Sequence, residues 1–258
     1  MSDFMDALAA DAMATVDSGY YEHPATARHV VSSLRSNIQQ SAKVPVIAEV
    51  KGASPSKGTI RRDFSPEKIS QAMARGGAVG ISVLTEPKHF SGSLDNLAIV
   101  RESVNLPLLM KDIVVSPRQL DAAAKLGANV VLLIQTIFDR GYCPIGLSEM
   151  VAKAHSKNLE VLLETHTADE FAGAMATEAD LVGINNRNLG TLLTDLNTTK
   201  TILSKRHGGK VVVSESGINT PADVQFLHSC GAEAFLIGSA IMSAVDVEGK
   251  VREFVNAQ

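Results

Sequence analysis

Cysteine is scarce: Cys143 and Cys230 are the only two in 258 residues. They are too few for a disulfide framework, and no metal-ligand spacing surrounds either of them. A reducing cytoplasm is therefore the expected setting, and no metal is expected. No apolar run reaches the roughly 18–20 residues needed to cross a bilayer, so no membrane partner is expected. The N-terminus lacks the basic start and short apolar core of a signal peptide, and none is expected. A formal charge of −4 gives no electrostatic reason to expect nucleic acid as partner. No strand-like run is followed by a GxGxxG loop, so a Rossmann dinucleotide site has no support. No linker or low-complexity segment divides the chain, and a single domain over residues 1–258 is expected.

What is present is an alternation. Hydrophobic residues make up 45% and charged residues 20%, ordinary for a globular enzyme. From Val46 onward, short apolar runs alternate with longer amphipathic stretches. The runs cover 46–50, 79–84, 107–111, 130–134, 160–164, 181–184, 211–214 and 234–237. Each is short and mostly rich in Val, Ile and Leu, as strands buried on both faces are. Their starts lie roughly 20–35 residues apart, enough for a crossover helix each time. Ser65-Pro66, Ser116-Pro117 and Thr220-Pro221 read as N-caps followed by proline at the first helical position, and several of the stretches end at glycine. Strand–helix units in this number form an open doubly wound sheet or a closed barrel. Without a dinucleotide loop, the α/β class resolves to a (β/α)8 TIM barrel over 46–258. Residues 1–45 form a helical extension. Phe4, Met5, Leu8, Ala12, Met13 and Val16 recur at helical spacing, and His29, Val30, Leu34 and Ile38 predict a second helix. The extension is expected to cover the barrel bottom or flank its mouth.

Barrel enzymes place their chemistry at the C-terminal strand ends, which makes the polar residues there informative. The first run ends Glu49-Val50-Lys51, the third Met110-Lys111-Asp112 and the fifth Leu163-Glu164. The sixth ends Asn185-Asn186-Arg187 and the seventh Ser214-Glu215-Ser216-Gly217. Side chains alternate along a strand, so Glu49 and Lys51 share one face, and share it with Ile47. The same parity joins Leu109 to Lys111, Leu162 to Glu164, Val213 to Glu215, and Gly183 to Asn185 and Arg187. One such residue is usually a solvated rim group. Charge closing so many strands on one face instead points to a functional cluster, because buried charges persist only when paired. After the last two strands, Ser216-Gly217-Ile218 and Gly238-Ser239-Ala240 fit a phosphate site, where glycine lets backbone N–H groups approach an anion.

These residues carry a resemblance. The stretch Ile47-Ala48-Glu49-Val50-Lys51-Gly52-Ala53-Ser54-Pro55-Ser56-Lys57-Gly58 resembles the first-strand signature of indole-3-glycerol-phosphate synthases. The likeness continues through Leu84-Thr85-Glu86, Phe90-Ser91-Gly92-Ser93, Leu109-Met110-Lys111-Asp112, Leu163-Glu164, Gly183-Ile184-Asn185-Asn186-Arg187, Ser214-Glu215-Ser216-Gly217-Ile218 and Phe235-Leu236-Ile237-Gly238-Ser239. It implies a carboxy-lyase of tryptophan biosynthesis, independent of cofactor and metal, acting on the phosphosugar 1-(o-carboxyphenylamino)-1-deoxyribulose 5-phosphate. The products would be indole-3-glycerol phosphate, carbon dioxide and water. It implies Lys111 as the acid that protonates the ribulose carbonyl. Lys51 is implied as a second lysine, binding the substrate carboxylate or acting as acid in dehydration. Glu164 resembles the base and Glu49 a carboxylate paired with the lysines. Asn185 and Glu215 would hold substrate hydroxyls, and Arg187 would fix the cluster. Ser54, Ser216, Gly217, Gly238 and Ser239 would cradle the phosphate. By position, Leu84, Phe90, Ile113 and Leu133 are the expected apolar wall for the aromatic ring. A monomer or weak homodimer is expected, with association with other tryptophan-pathway enzymes left open.

The sequence departs from the family at Gly52, at Ile113 where Phe is common, and over Gln135–Gly146. Two rivals make different demands. A phosphoribosylanthranilate isomerase would need a cysteine near its first strand, where this chain has Glu49 and Lys51. A noncatalytic phosphosugar-binding barrel predicts a degraded charge cluster, whereas Lys51, Lys111 and Glu164 are all present. The Gly, Pro and Ser content of Ser54–Gly58 predicts a loop that closes over the substrate.

Overall fold

The computed structural model describes residues 3–22, 24, 26–54, 58–59, 64–188, 190–204 and 209–257. Eight parallel strands close into a barrel in sequence order. They are β1 (Val46–Val50), β2 (Gly80–Leu84), β3 (Leu108–Lys111) and β4 (Val130–Ile134). The second half comprises β5 (Glu160–Thr165), β6 (Leu181–Asn185), β7 (Val211–Glu215) and β8 (Ala234–Ile237). Closure is made by β8 on β1, with Val46 opposite Phe235 and Ala48 opposite Ile237. Every expected strand is found, none displaced by more than a residue at either end. Most are buried along their whole length, as strands covered by helices outside and side chains inside must be.

The helices begin where capping chemistry directs. Ser65, Ser116 and Thr220 each accept a backbone N–H of the first turn, and proline follows each cap. These caps open α3 (Pro66–Arg75), α5 (Pro117–Lys125) and α10 (Pro221–Ser229). Proline costs nothing there, since its missing N–H would have had no intrahelical partner. Helices α4 (Leu94–Ser103), α7 (Leu147–His155), α8 (Ala168–Met175), α9 (Asn197–Leu203) and α12 (Val247–Val255) complete the outer layer. Two short helices leave strands directly, α6 (Gln135–Asp139) after β4 and α11 (Ser239–Met242) after β8.

The N-terminal extension serves both ends of the barrel. Helix α1 (Phe4–Asp17) lies at the mouth. Asp11 pairs with Lys88 and His89 of the loop after β2, and Arg140, beyond α6, bridges Asp3 and Asp6. The segment after β4 is therefore the anchor for the start of α1. Helix α2 (Leu34–Gln40) closes the bottom. Glu160, opening β5, accepts hydrogen bonds from the Ser33 hydroxyl at 2.5 Å and the Leu34 N–H at 2.9 Å. A Cβ at Gly80 would lie 2.5 Å from Leu34 Cδ1, so glycine there lets the plug seat. The second helix is shorter than its apolar spacing predicts. Ser33 caps it, leaving His29 and Val30 in the preceding extended chain, where the Val30 carbonyl accepts from Asn129.

Candidate active site

The alternation along the strands delivers the charged cluster. A cavity of about 380 Å³ opens at the C-terminal strand ends and is lined by Glu49, Lys51, Lys111, Glu164, Asn185, Arg187 and Glu215. That volume lies within the range of small-molecule sites. At its centre, Lys111 Nζ is 3.1 Å from Glu164 Oε2 and 3.1 Å from Glu215 Oε2. Asn185 Nδ2 donates to the other Glu164 oxygen at 2.9 Å, and Asn185 Oδ1 accepts the Arg187 backbone N–H. Beside them Lys51 Nζ lies 2.7 Å from Glu49 Oε1. Gly183 makes the cluster possible: a Cβ there would sit 2.3 Å from Glu215 Oε1.

Competing effects set the protonation states. Burial alone would favour neutral Lys111, but Glu215, Glu164 and Glu49 outweigh it and raise its pKa above the usual lysine range. Sequence leaves that contest open; in the structure the carboxylates win. Burial also works against the Glu164 carboxylate, yet Lys111, His166 and Asn185 hold its pKa well below the ordinary range. Glu215 resolves the other way. Burial comes first and Glu164 adds like charge, so its pKa is pushed up to about 7 despite Lys111. The site thus holds a fully charged ammonium, a firmly ionised carboxylate, and a carboxyl poised near neutrality.

Glycine loops form one side of the mouth. Ser216 and Gly217 both take left-handed backbone conformations, with φ of +67° and +80°. That conformation is uncommon for serine, and the buried Asn186 side chain holds the turn by donating to the Ser214 hydroxyl and the Ser216 carbonyl. After β8, a Cβ on Gly238 would lie 2.4 Å from Glu49 Oε1 and 2.7 Å from Lys51 Nζ. Ser216, Gly217, Gly238 and Ser239 all line the cavity. Ser54 belongs to a short antiparallel hairpin of 53–54 with 58–59. Its side chain, and the loop residues Pro55, Ser56 and Lys57, lie outside the described residues.

The facing side is apolar. Leu84, Phe90 and Ile113 line the cavity as expected; Leu133 does not. The strand pleat is the reason: on β4 the inward positions are Leu132 and Ile134, and Leu133 is fully buried on the opposite face. Helix α1 contributes Phe4, Met5 and Leu8 to this wall, a role its spacing shows only as an apolar stripe. Glu86 also escapes a sequence reading. Its carboxylate accepts the N–H groups of Lys88, His89 and Phe90, folding the loop that turns Phe90 inward. Arg187 donates to the Leu192 carbonyl at 2.8 Å, so it props the 188–195 loop whose Leu192, Leu193 and Thr194 reach the cavity.

Next to Lys111, the buried Asp112 accepts from the Tyr21 hydroxyl at 2.9 and 3.0 Å, the Thr85 hydroxyl at 2.5 Å and the Ile113 N–H at 2.8 Å. Burial still pushes its pKa up to about 6. Because that lies above the ordinary 3.8, the native state binds protons more tightly, and this group's burial costs stability as pH rises through about 6. Tyr21→Phe removes a donor from the ionised form. It is expected to destabilise the fold by about 1–3 kcal/mol at pH 8 and by less at pH 5. Urea unfolding at both pH values measures this; equal loss at both would show that the hydroxyl does not support the carboxylate.

Comparison with known proteins places this geometry. The family model described as indole-3-glycerol phosphate synthase matches residues 6–254. The indole-3-glycerol phosphate synthase of Dehalococcoides mccartyi (strain CBDB1) is 43% identical over 216 residues, 83% of this chain and 82% of that protein. The enzyme of the same name from Aromatoleum aromaticum is 39% identical over 257 residues, 95% of this chain and 96% of its own. Two solved structures share the fold alone. The N-acetylmannosamine-6-phosphate 2-epimerase from Clostridium perfringens has a TM-score of 0.59 at 15% identity, over 83% of this chain and 93% of that one. The thiamine phosphate pyrophosphorylase from Pyrococcus furiosus has a TM-score of 0.59 at 20% identity, over 87% and 97%. With the family match spanning nearly all the barrel and its extension, the chain belongs to the indole-3-glycerol phosphate synthase family.

Proposed function

We propose that this barrel closes and decarboxylates 1-(o-carboxyphenylamino)-1-deoxyribulose 5-phosphate to indole-3-glycerol phosphate, with Lys111 as acid and Glu164 as base. The observation that carries the assignment is Lys111 held 3.1 Å from Glu164 and from Glu215 inside one cavity. In a closed ring of eight strands, β3 stands opposite β7. The apolar wall from α1 and β2–β4 therefore faces the glycine loops after β7 and β8. A substrate with an aromatic ring at one end and a phosphate at the other spans that opening, its carbonyl carbon over the Lys111 cluster.

Proton accounting fits these groups. Ring closure requires a proton on the carbonyl oxygen as the aromatic carbon attacks. Lys111, held charged by its carboxylates, supplies it as the oxygen becomes more basic than the amine. Carbon dioxide leaves with its bond's electron pair left on the ring, which neutralises the cation. Departure of the hydroxyl as water requires a second proton, and the ring carbon that becomes unsaturated gives one up to Glu164. Glu164 returns that proton to Lys111 across their 3.1 Å contact, so each turnover draws one proton from solvent. Lys51, lying against Gly238, neutralises the phosphate end, and Glu49 fixes its ammonium. We expect a monomer or weak homodimer acting in the cytoplasm; sedimentation at assay concentration checks the oligomer.

The direct test follows indole fluorescence after substrate is added to purified protein. Product formation is the expected result. Binding without product would instead favour the noncatalytic phosphosugar-binding barrel. A second variant probes the phosphate end. Gly238→Ala is expected to leave stability nearly unchanged, because the clashing atoms are the tips of the flexible Lys51 and Glu49 side chains. The displaced ammonium should raise KM about tenfold, a loss of roughly 1.4 kcal/mol of binding. An unchanged KM would remove Lys51 from the phosphate end.

A further inference from the structure

Beyond the cluster around Lys111 lies a histidine that the mechanism above does not use. His166 follows Glu164 by two residues, one past the end of β5. Its Nε2 is 3.2 Å from Glu164 Oε1 and its Nδ1 is 3.6 Å from Glu170 Oε2 on α8, ion-pair contacts in which neither ring nitrogen makes a hydrogen bond among the described residues. The ring is buried, with 11% of the side chain exposed. Glu170 is fixed in turn. The His166 backbone N–H donates to it at 2.6 Å and the Thr136 hydroxyl at 2.8 Å, the latter from the helix that leaves β4.

A second, polar cavity of about 220 Å³ lies behind the ring. Its charged lining groups besides His166 and Glu170 are Asp3, Arg140 and Arg187. Arg140 is committed to Asp3 and Asp6, and Arg187 to the Leu192 carbonyl. What His166 faces is thus a carboxylate on either side, and each favours its charged form. Burial would lower its pKa, but Glu164 and Glu170 push it up to about 9.

We propose that His166 is a positioning residue for the general base: as an imidazolium clamped between Glu164 and Glu170, it keeps the Glu164 carboxylate ionised and fixed between Lys111 and Asn185. The proposal rests on the reading of Glu164 as the base. A buried carboxylate contacted on one oxygen only by neutral Asn185 would have Lys111 as its sole cation, and that lysine becomes neutral when it donates its proton. The imidazolium holds Glu164 as an anion through that interval. It touches no substrate-facing atom in this arrangement, so its effect passes entirely through Glu164.

The experiment is kcat and KM against pH from 4 to 9 for wild type, His166→Asn, Glu170→Gln and Glu164→Gln. His166→Asn keeps a hydrogen-bond donor and drops the charge. Its KM should stay within about threefold of wild type. Its kcat should fall by up to about tenfold on the acidic limb and recover above it, a limb moved up by roughly one pH unit. Glu170→Gln should move the same limb in the same direction by less, and it carries the test if His166→Asn fails to fold. A loss of kcat by one constant factor at every pH would make His166 a packing residue and overturn the proposal, as would no loss at all. An active Glu164→Gln enzyme would instead sink the base assignment itself. An inactive one beside a wild-type-like His166→Asn sinks only the clamp.

Discussion

Lys111→Ala is expected to lower kcat by about 10³-fold or more, at the upper part of what loss of a positioned general acid removes, while the protein still binds indole-3-glycerol phosphate. Chemistry and binding separate because Lys111 sits among carboxylates at the cavity centre, whereas the phosphate loops after β7 and β8 and the apolar wall are untouched. The same change has a pH-dependent cost. In the wild type, Lys111 has a raised pKa and Glu164 a lowered one. The lysine's contribution is lost only as pH rises through a value above the ordinary lysine range. The glutamate's is lost only as pH falls well below the ordinary 4.5. Between those limits the cluster is intact. Without Lys111, buried Glu164 and Glu215 lose their shared cation, and breaking such a buried pair costs about 3–5 kcal/mol. Destabilisation should therefore be large at pH 8 and shrink below about pH 6, where the orphaned carboxylates take up protons. Single-turnover fluorescence and urea unfolding at both pH values measure the two effects. A variant retaining even a tenth of wild-type kcat would remove Lys111 as the acid.

How much of this was legible in the sequence follows from the pleat of barrel strands. Counting in twos places Glu49 with Lys51, and Asn185 with Arg187, and the structure brings these four to one cavity. Leu133 misses by that rule rather than in spite of it: β4 presents Leu132 and Ile134 inward, and an apolar residue chosen by proximity to the strand end fell on the wrong face. His166 lies one residue past the end of β5, beyond the reach of strand parity. The apolar run stops at Glu164, while the strand continues through Thr165. Contacts across the barrel leave no such trace. Nothing near Tyr21 in sequence announces a bond to Asp112, 91 residues away. The stripe on α1 reveals a buried face, yet only the closed barrel shows that Phe4, Met5 and Leu8 wall the active site. The short α2 shows the limit of periodicity itself, since Ser33 starts the helix where its cap is satisfied by Glu160 as well.

Glu215→Gln is expected to make a more stable and much less active protein. Glu215 Oε2 meets Lys111, while Oε1 is buried beside Gly183 without a hydrogen-bond partner among the described residues. The folded pKa of about 7 stands above the ordinary 4.5. Between those values the native state binds more protons than the unfolded chain, so this group's contribution falls as pH rises from 4.5 through about 7 and stays low above it. Gln has nearly the same shape and no charge to desolvate, and Lys111 keeps Glu164 and Glu49. At pH 8.5 the variant should exceed the wild type by on the order of 2 kcal/mol. At pH 5.5, where wild-type Glu215 is already neutral, the two should nearly coincide. Activity should move oppositely, kcat/KM falling roughly 10²-fold, because a charged group aimed at the reacting centre is replaced by a weaker acceptor. The desolvated charge that weakens the fold above neutrality is then the one that stabilises cationic species formed on the substrate during ring closure. Urea unfolding at the two pH values, beside initial rates, tests the link. A variant less stable at pH 8.5 than the wild type would mean that Lys111 needs Glu215 more than the barrel resents burying it.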